Sequence, residues 1–519
     1  MPGKKPRPKS SMLVQLLRLD SAADTPVYRQ IADGILAALH DGRLAVGSRL
    51  PPTRELAARL RVNRNTVVAA YRTLVDAGAV RGHTGRGTFL ARPEPAAGGA
   101  APARLPHWSG AFARAVEGPG IGNLLSIYRT ATSHEGISFA ASYPAAELMP
   151  ALPFAAAIDA VLRTRGAEVL AYGPTAGYAP LRDWIAADLR RGGAPAEADQ
   201  VLITNGSQQA IEIVFRALVD PGDAVVLEDP SYTGALSVLA SLGARRIGVP
   251  MDEEGIRPDL LARALDQHRP RLLYLQPTFH NPTTRTMGEP RRREVLDLAA
   301  RHRCTIVEDD WARDLRLDGE DLPTLHAMDG GRHVLHIGTF SKKLLPGLRI
   351  GWVAARRDIF ERLLLLKQIE DCGTSLLLQA ALERFLCDGG IEPHLERARE
   401  AYRARRDRML AALRRNAPRQ ARTTRPDGGL FLWLTLPDGI DTDALFVDAR
   451  ERGVLFSRGT LFHVDGGGKN TLRLTYSAAS PDQIDSGIAT LGELMKKRLL
   501  ARGRSAPDRL AVSEGIPIL

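Results

Sequence analysis

From about Gly120 onward, short apolar runs alternate with longer stretches of helical periodicity. The runs are Val201–Thr204, Ala224–Glu228, Arg271–Leu275, Thr305–Glu308, His333–Ile337 and Ile350–Val353, each four or five residues long. Apolar runs of this length, separated by helical segments, predict a mainly parallel sheet covered by helices. After about Pro393 an Arg/Glu-rich helical stretch leads to Phe431–Leu434 and Thr471–Leu474, which predict a smaller α+β piece. The first 90 residues follow another pattern. A helix is expected from Thr53, with that threonine as its cap, after the pair Pro51-Pro52. Arg61-Val62-Asn63 makes a short turn, and Asn63 is placed to cap a second helix over 64–77. There Val67, Ala70, Leu74 and Ala77 share one face. Val80 to Leu90, with Gly82, Gly85 and Gly87 around Arg81 and Arg86, predicts a two-stranded wing.

These patterns divide the 519 residues into a helical module over 13–91, a Pro/Ala/Gly-rich linker over 92–119, a large α/β body over 120–497 and a tail over 498–519. Composition sharpens the division. Residues 1–92 hold 16 Lys+Arg against 6 Asp+Glu, so a net of +10 of the chain's +11 lies at one end. A basic module joined to a nearly neutral body points to nucleic acid as the partner of that module alone. Three cysteines (Cys304, Cys372, Cys387) have neither metal-ligand spacing nor a disulfide framework, and Cys304 reads as a core residue. With no apolar stretch of the roughly 18 residues that a membrane helix needs, and no secretory signal pattern, a cytoplasmic location is expected.

The chemistry-bearing residues of the body fall just after the predicted strands, where open α/β sheets bind ligands. Gly206, Ser207 and Gln208 follow the first run and open a helix, so their N–H groups face a phosphate there. Tyr232, after the second run, suits stacking on a flat ring, or a place in the core. Asn281 lies in a turn after the third run and can aim an amide at a phenolic oxygen. Asp309, after the fourth, can hold a pyridine nitrogen protonated, or cap a helix. Lys342 supplies an amine for an aldehyde, and Thr339, Ser341 and Arg349 offer hydroxyls and a guanidinium to a phosphate. Together these are the parts of a pyridoxal 5'-phosphate site. Lys343 reads as an exposed neighbour without a role. In the basic module, Arg64, Asn65 and Thr66 stand at the N-terminal end of the second helix, where a recognition helix meets base edges.

Longer motifs carry a family resemblance. Pro26–Ile31, Gly47–Pro51, Arg54–Ala57, Val62–Val67, Ala70-Tyr71 and Gly85–Phe89 resemble the winged helix-turn-helix of GntR-type regulators. That resemblance implies that Arg54, Arg64, Thr66 and Gly85 contact double-stranded DNA, with Asn65 and Arg86 beside them. Asn63 and Asn65 stand where the family more often has Ser or Thr. From Ile121 to Leu494, with Tyr172-Gly173-Pro174 and Gly177–Arg182 as further matches, the chain resembles the fold-type I aminotransferases. This resemblance implies Asn281 at the ring oxygen, Asp309 at the pyridine nitrogen, Lys342 in the internal aldimine and Arg473 on the α-carboxylate of an amino-acid ligand. Read without it, Arg473 is a strand-edge surface residue. Two positions depart from the family pattern: Trp311 replaces a tyrosine that donates to the ring oxygen, and Thr284 replaces a glycine. The order of the parts resembles the MocR subfamily, which implies a head-to-tail homodimer that senses pyridoxal phosphate, an amino acid or an amine through aldimine formation at Lys342. The alternatives are a working aminotransferase carrying a DNA-binding domain, and a DNA-binding protein with an inactive body.

Overall fold

The computed structural model describes residues 17, 19, 25–41, 43–83, 87–91, 112–116, 118, 120–131, 136–140 and 142–505. The chain forms two compact units, Met1–Gly110 and Ala111–Leu519. In the first unit, helices Val27–His40, Thr53–Leu60 and Arg64–Asp76 precede an antiparallel pair, β1 (Val80–His83) and β2 (Gly87–Leu90). Its core joins Ile31, Ile35, Leu56, Val67, Leu74 and Leu90, and the Tyr71 hydroxyl donates to Pro51 O at 2.7 Å. Asn63 caps the third helix as expected, its side chain accepting from Asn65 N at 2.9 Å. Two expectations need correction. Pro52, not Thr53, occupies the cap position of the second helix and no side chain caps it, because the proline fixes an extended backbone just before the helix. Ala77 is exposed, since the third helix ends at Asp76 and the chain turns away from the core there.

The second unit carries an eight-stranded sheet in the order β4 (Val201–Thr204), β11 (Gly351–Ala354), β10 (Val334–Thr339), β9 (Thr305–Asp310), β8 (Leu272–Leu275), β5 (Ala224–Asp229), β6 (Arg245–Asp252), β7 (Gly255–Ile256). β11 runs antiparallel to β10 and β4, and β7 to β6; the other pairings are parallel. Helices cover both faces, which is why these strands are continuous apolar runs rather than alternating ones. Within β5, Val225 and Leu227 join the cluster under helix Ser207–Leu218, while Val226 faces the cluster on the other side. A second sheet, in the order β12 (Arg422–Thr423), β13 (Phe431–Thr435), β15 (Thr471–Thr475), β14 (Val454–Arg458), β3 (Ile137–Phe139), forms the smaller α+β piece. The long helix Ile391–Asn416 packs beside the last helix, Pro481–Ser505, which runs on past 498, where the tail was expected to start. Cys304 is buried. Among the described residues no helix is long and apolar enough to cross a membrane.

Candidate functional site

The carboxyl ends of β4, β5, β8, β9 and β10 converge on one cleft. Ser207, Tyr232, Asn281, Asp309, Thr339 and Lys342 line it, and Arg473 reaches it from β15. At one end Gly206, with φ +82°, caps helix Ser207–Leu218. The first N–H groups of a helix lack intrahelical acceptors and so offer donors to an anion. A Cβ on Gly206 would lie 2.6 Å from Arg349 Nη2, and one on Gly351 2.7 Å from both Gly206 C and Ser207 N. At Gly351 the neighbour is backbone, so only glycine lets the two segments approach so closely, whereas at Gly206 it is the Arg349 side chain and the positive φ is what favours glycine. Arg349 Nη2 donates to Asn205 O at 3.0 Å and Nη1 to Ser341 Oγ at 3.4 Å. Ser341 N donates to Thr339 Oγ1 at 3.1 Å. A cradle of hydroxyls, guanidinium and helix N-terminus results, shaped for a phosphate. Gln208 turns its side chain away, accepting from the Tyr232 hydroxyl at 3.0 Å and donating to Gly234 O at 3.2 Å.

Asp309 is buried in the middle of the cleft. Its Oδ2 accepts from Tyr274 Oη and Gln276 Nε2, both at 2.6 Å, while its Oδ1 is buried without a hydrogen-bond partner among the described residues. Burial pushes its pKa up to about 6. An unpaired buried carboxylate oxygen is costly, and a protonated ring nitrogen would satisfy it. Lys342 Nζ donates to Ser142 O at 2.9 Å and lies 5.7 Å from the centre of the Tyr143 ring. Burial, with Arg473 and Arg349 as positive neighbours, lowers its pKa to about 8. Asn281 Oδ1 accepts from Arg473 Nη1 at 2.7 Å, which leaves the amide nitrogen as the donor this side chain has to offer.

Arg473 is not at a strand edge. β15 lies between β13 and β14, and the guanidinium is buried between the Phe431 and Phe462 rings, 4.7 and 5.0 Å away. Nη2 donates to Ala140 O at 2.9 Å, and Nε is buried without a partner among the described residues. Burial lowers the pKa of this group to about 10. Trp311 lines the cleft, but its indole N–H donates to Phe279 O at 3.2 Å and its ring stacks on Phe431 at 5.4 Å. Indole has no second hydrogen to offer, so in this arrangement Trp311 contributes shape and not a hydrogen bond to a ring oxygen. Lys343 is not the exposed residue expected: it is buried, pairs with Asp314 at 2.7 Å and lies over the Phe340 and Trp352 rings.

Several contributors were not singled out from the sequence. Tyr274 and Gln276 orient Asp309. The Arg292 guanidinium, fully buried, ties the turn that bears Asn281 through Pro277 O, Thr278 Oγ1 and Met287 O. Lys367 and Asp371 pair at 2.6 Å, and Asp371 holds Asn205 and Gln209 behind the phosphate cradle. An i,i+4 Lys–Asp pair on a helix is the pattern of an exposed pair too, so spacing alone gives no signal. In the first unit, Arg54, Arg64 and Asn65 are exposed and Thr66 is half-buried; Gly85 and Arg86 lie outside the described residues.

A helix-turn-helix unit joined to a cleft with the parts for a phosphorylated pyridine aldehyde defines a regulator built on an enzyme fold, and comparison with known proteins agrees. Residues 27–90 match the family of bacterial regulatory proteins, gntR family, and residues 142–491 match aminotransferase class I and II. A 2-aminoadipate transaminase of Thermus thermophilus is 40% identical over 75% of this chain and 97% of its own length. An uncharacterized HTH-type transcriptional regulator of Bacillus subtilis, YdfD, is 31% identical over 92% of this chain and 98% of its own. The probable rhizopine catabolism regulatory protein MocR of Rhizobium meliloti is 30% identical over 92% and 95%. Among solved structures, the α-aminoadipate aminotransferase LysN of Thermus thermophilus, complexed with a phosphopyridoxyl-leucine, aligns with a TM-score of 0.71 at 37% identity, over 76% of this chain and 99% of that one. The chain belongs to the aminotransferase class I and II family and, through its GntR domain, to the MocR subfamily of GntR-type regulators. Its cofactor is pyridoxal 5'-phosphate.

Proposed function

We propose that the body reports the presence of pyridoxal phosphate and of an amino acid or amine to the DNA-binding unit, through Lys342. Bound in the cleft, the cofactor supplies an aldehyde that reacts reversibly with amines and a ring that draws electrons when its nitrogen is protonated. The residues divide the work. Ser207 and Gln208, by their N–H groups, with Thr339, Ser341 and Arg349, hold the phosphate; the Gly206 N–H, expected to do so too, donates instead to Thr204 O at 2.8 Å. Asp309 Oδ1 takes the ring nitrogen and the Asn281 amide the ring oxygen. Tyr232 and Trp311 wall the ring, and Arg473 Nε receives a carboxylate. The observation that carries this reading is that one cleft holds Asp309 Oδ1 and Arg473 Nε, both buried without a partner among the described residues, together with Lys342, whose pKa is lowered to about 8.

Signalling requires that the ligand interact differently with two conformations. Ser142 O is the acceptor that the structure shows for Lys342 Nζ, so a change at Nζ is felt by the segment after β3. Arg54, Arg64, Asn65, Thr66, Gly85 and Arg86 would face DNA in the cytoplasm. A homodimer is supported by Leu170, Tyr172, Leu365 and Ile369, which are 67%, 97%, 56% and 75% exposed in the single chain, large apolar groups open to water as at an interface; the head-to-tail arrangement of its two copies rests on the MocR resemblance. The test is the visible spectrum of the purified protein with pyridoxal phosphate as amines are added, followed by binding to its own upstream DNA. A spectral change together with altered DNA affinity supports the reading; a spectrum indifferent to every amine opposes it. A second reading, slow transamination, is favoured by the presence of a full donor set in one cleft and by the 40% identity to a transaminase. Steady conversion of an amino acid and an oxo-acid by the pure protein would establish it.

A further inference from the structure

Where the family pattern has a phenol, position 311 carries an indole, whose one N–H goes to Phe279 O at 3.2 Å. Phe279 lies two residues before Asn281 and is held at φ +51°, in the left-handed region that residues with a Cβ rarely adopt. Its own N–H donates to Thr286 Oγ1 at 3.3 Å. Its ring packs over Gly428, where a Cβ would lie 2.1 Å from Phe279 Cζ. The indole N–H is the donor that the structure shows for the Phe279 carbonyl. It steadies a strained residue from which the turn carrying Asn281 departs.

The face of the same indole serves the carboxylate end of the cleft. The Trp311 and Phe431 rings stack with centroids 5.4 Å apart and 9° between their planes, and the Arg473 guanidinium lies 4.7 Å from the centre of the Phe431 ring. Arg473 Nη1 in turn donates to Asn281 Oδ1 at 2.7 Å. The contacts close a circuit: Trp311 to the Phe279 carbonyl, along the turn to Asn281, across to Arg473, and through Phe431 back to Trp311. Stacked rings and a guanidinium over a ring each favour one relative placement, so displacement of the indole is felt at Asn281 and at Arg473. Arg473 is also tied to Ala140 O at 2.9 Å, so loss of the stack loosens it without releasing it. A phenol at position 311 has one hydrogen to give, to a ring oxygen or to Phe279 O but not to both.

We infer that Trp311 is a positioning residue: it locks Asn281 and Arg473 together for a ligand carboxylate, and in doing so withholds from the ring oxygen the donor that a tyrosine there would give. The inference rests on the proposed binding of pyridoxal phosphate and of an amino compound at Lys342. The test uses the full-length protein loaded with pyridoxal phosphate and two amines that differ by one carboxylate, L-phenylalanine and 2-phenylethylamine. Its first readout is the pH at which the visible absorbance of the bound cofactor changes. A donor to the ring oxygen stabilises negative charge there and favours the form that has lost a proton, so Trp311→Tyr should lower that pH by roughly half to one unit. An unmoved value would mean that the indole already donates to the ring oxygen, and would overturn the inference. The second readout is the ratio of the concentrations at which the two amines change the spectrum. L-Phenylalanine should act at the lower concentration in the wild type, and Trp311→Phe and Phe431→Leu should each narrow the ratio about three- to tenfold, the contribution of one hydrogen bond or ring contact. An unchanged ratio in both variants would overturn the positioning role and leave that of Lys342 intact. A wild-type spectrum moved by neither amine would remove the role of Lys342, and this inference with it. In the cofactor-free protein, amide exchange over residues 277–287 should quicken in Trp311→Phe; exchange equal to the wild type would overturn the part played by the bond to Phe279 O.

Discussion

Lys342 is poised by its surroundings. A protonated amine has no lone pair and cannot attack an aldehyde, and burial together with Arg473 and Arg349 has brought its pKa from 10.5 down to about 8. The rate at which pyridoxal phosphate attaches should therefore rise roughly tenfold per pH unit below about 8 and level off above it, as followed by rapid-mixing absorbance. Arg473→Gln removes one of the positive neighbours and should move the plateau to higher pH; an unmoved profile would show that Arg473 does not act on Lys342. Asp309→Asn keeps the shape and loses the charge. It should weaken cofactor binding by about 2 kcal/mol or more, roughly thirtyfold, the value of a charge-assisted hydrogen bond in a buried place, measured by absorbance titration. At this scale the sequence was informative where chemistry selects the residue type, as at Lys342, Asp309 and Asn281. It was silent where burial decides the role. Lys343 read as surface and is buried on Asp314, and Arg473 read as surface without the family resemblance because its strand neighbours come from distant parts of the chain. Trp311 was seen as a departure, but that its N–H goes to Phe279 O depended on a loop whose path no pattern reveals.

Among the elements, the strands were legible because both faces of the sheet are buried, which forces unbroken apolar runs. All six runs are strands within a residue or two, β4 at its stated limits. The antiparallel direction of β11 was not legible, since reversal of one strand leaves the apolar pattern unchanged. The caps divided by mechanism: Asn63 accepts from the backbone as its side chain allows, whereas Thr53 yielded to the geometry of Pro52. Asn63→Ala should therefore cost the first unit about 1 kcal/mol, visible as an earlier thermal transition of that unit, while Thr53→Ala should cost less. Gly351→Ala tests the cradle. Its Cβ would meet backbone atoms of Gly206 and Ser207 at 2.7 Å, so the helix N-terminus must shift and pyridoxal phosphate should bind at least tenfold more weakly, a conservative figure for a backbone clash. Wild-type affinity in that variant would mean that the N-terminus of helix Ser207–Leu218 does not hold the phosphate.

Taken whole, the molecule joins a basic unit to a nearly neutral one, an asymmetry visible in the charge count before any fold was assigned. Arg64, exposed at the start of its helix, should contribute about 1–3 kcal/mol to specific DNA binding if it reads a base, so Arg64→Ala should bind the chain's upstream DNA roughly 5- to 150-fold more weakly. A loss of the same size on unrelated DNA would instead make Arg64 a phosphate contact. The central claim is that Lys342 links the cofactor site to the DNA-binding unit. The most direct measurement is fluorescence anisotropy of that upstream DNA titrated with the wild-type chain and with Lys342→Ala, each with and without pyridoxal phosphate and L-phenylalanine. The account predicts that Lys342→Ala binds DNA as the unliganded wild type does and that the additions change only the wild-type affinity. An equal change in Lys342→Ala would contradict it.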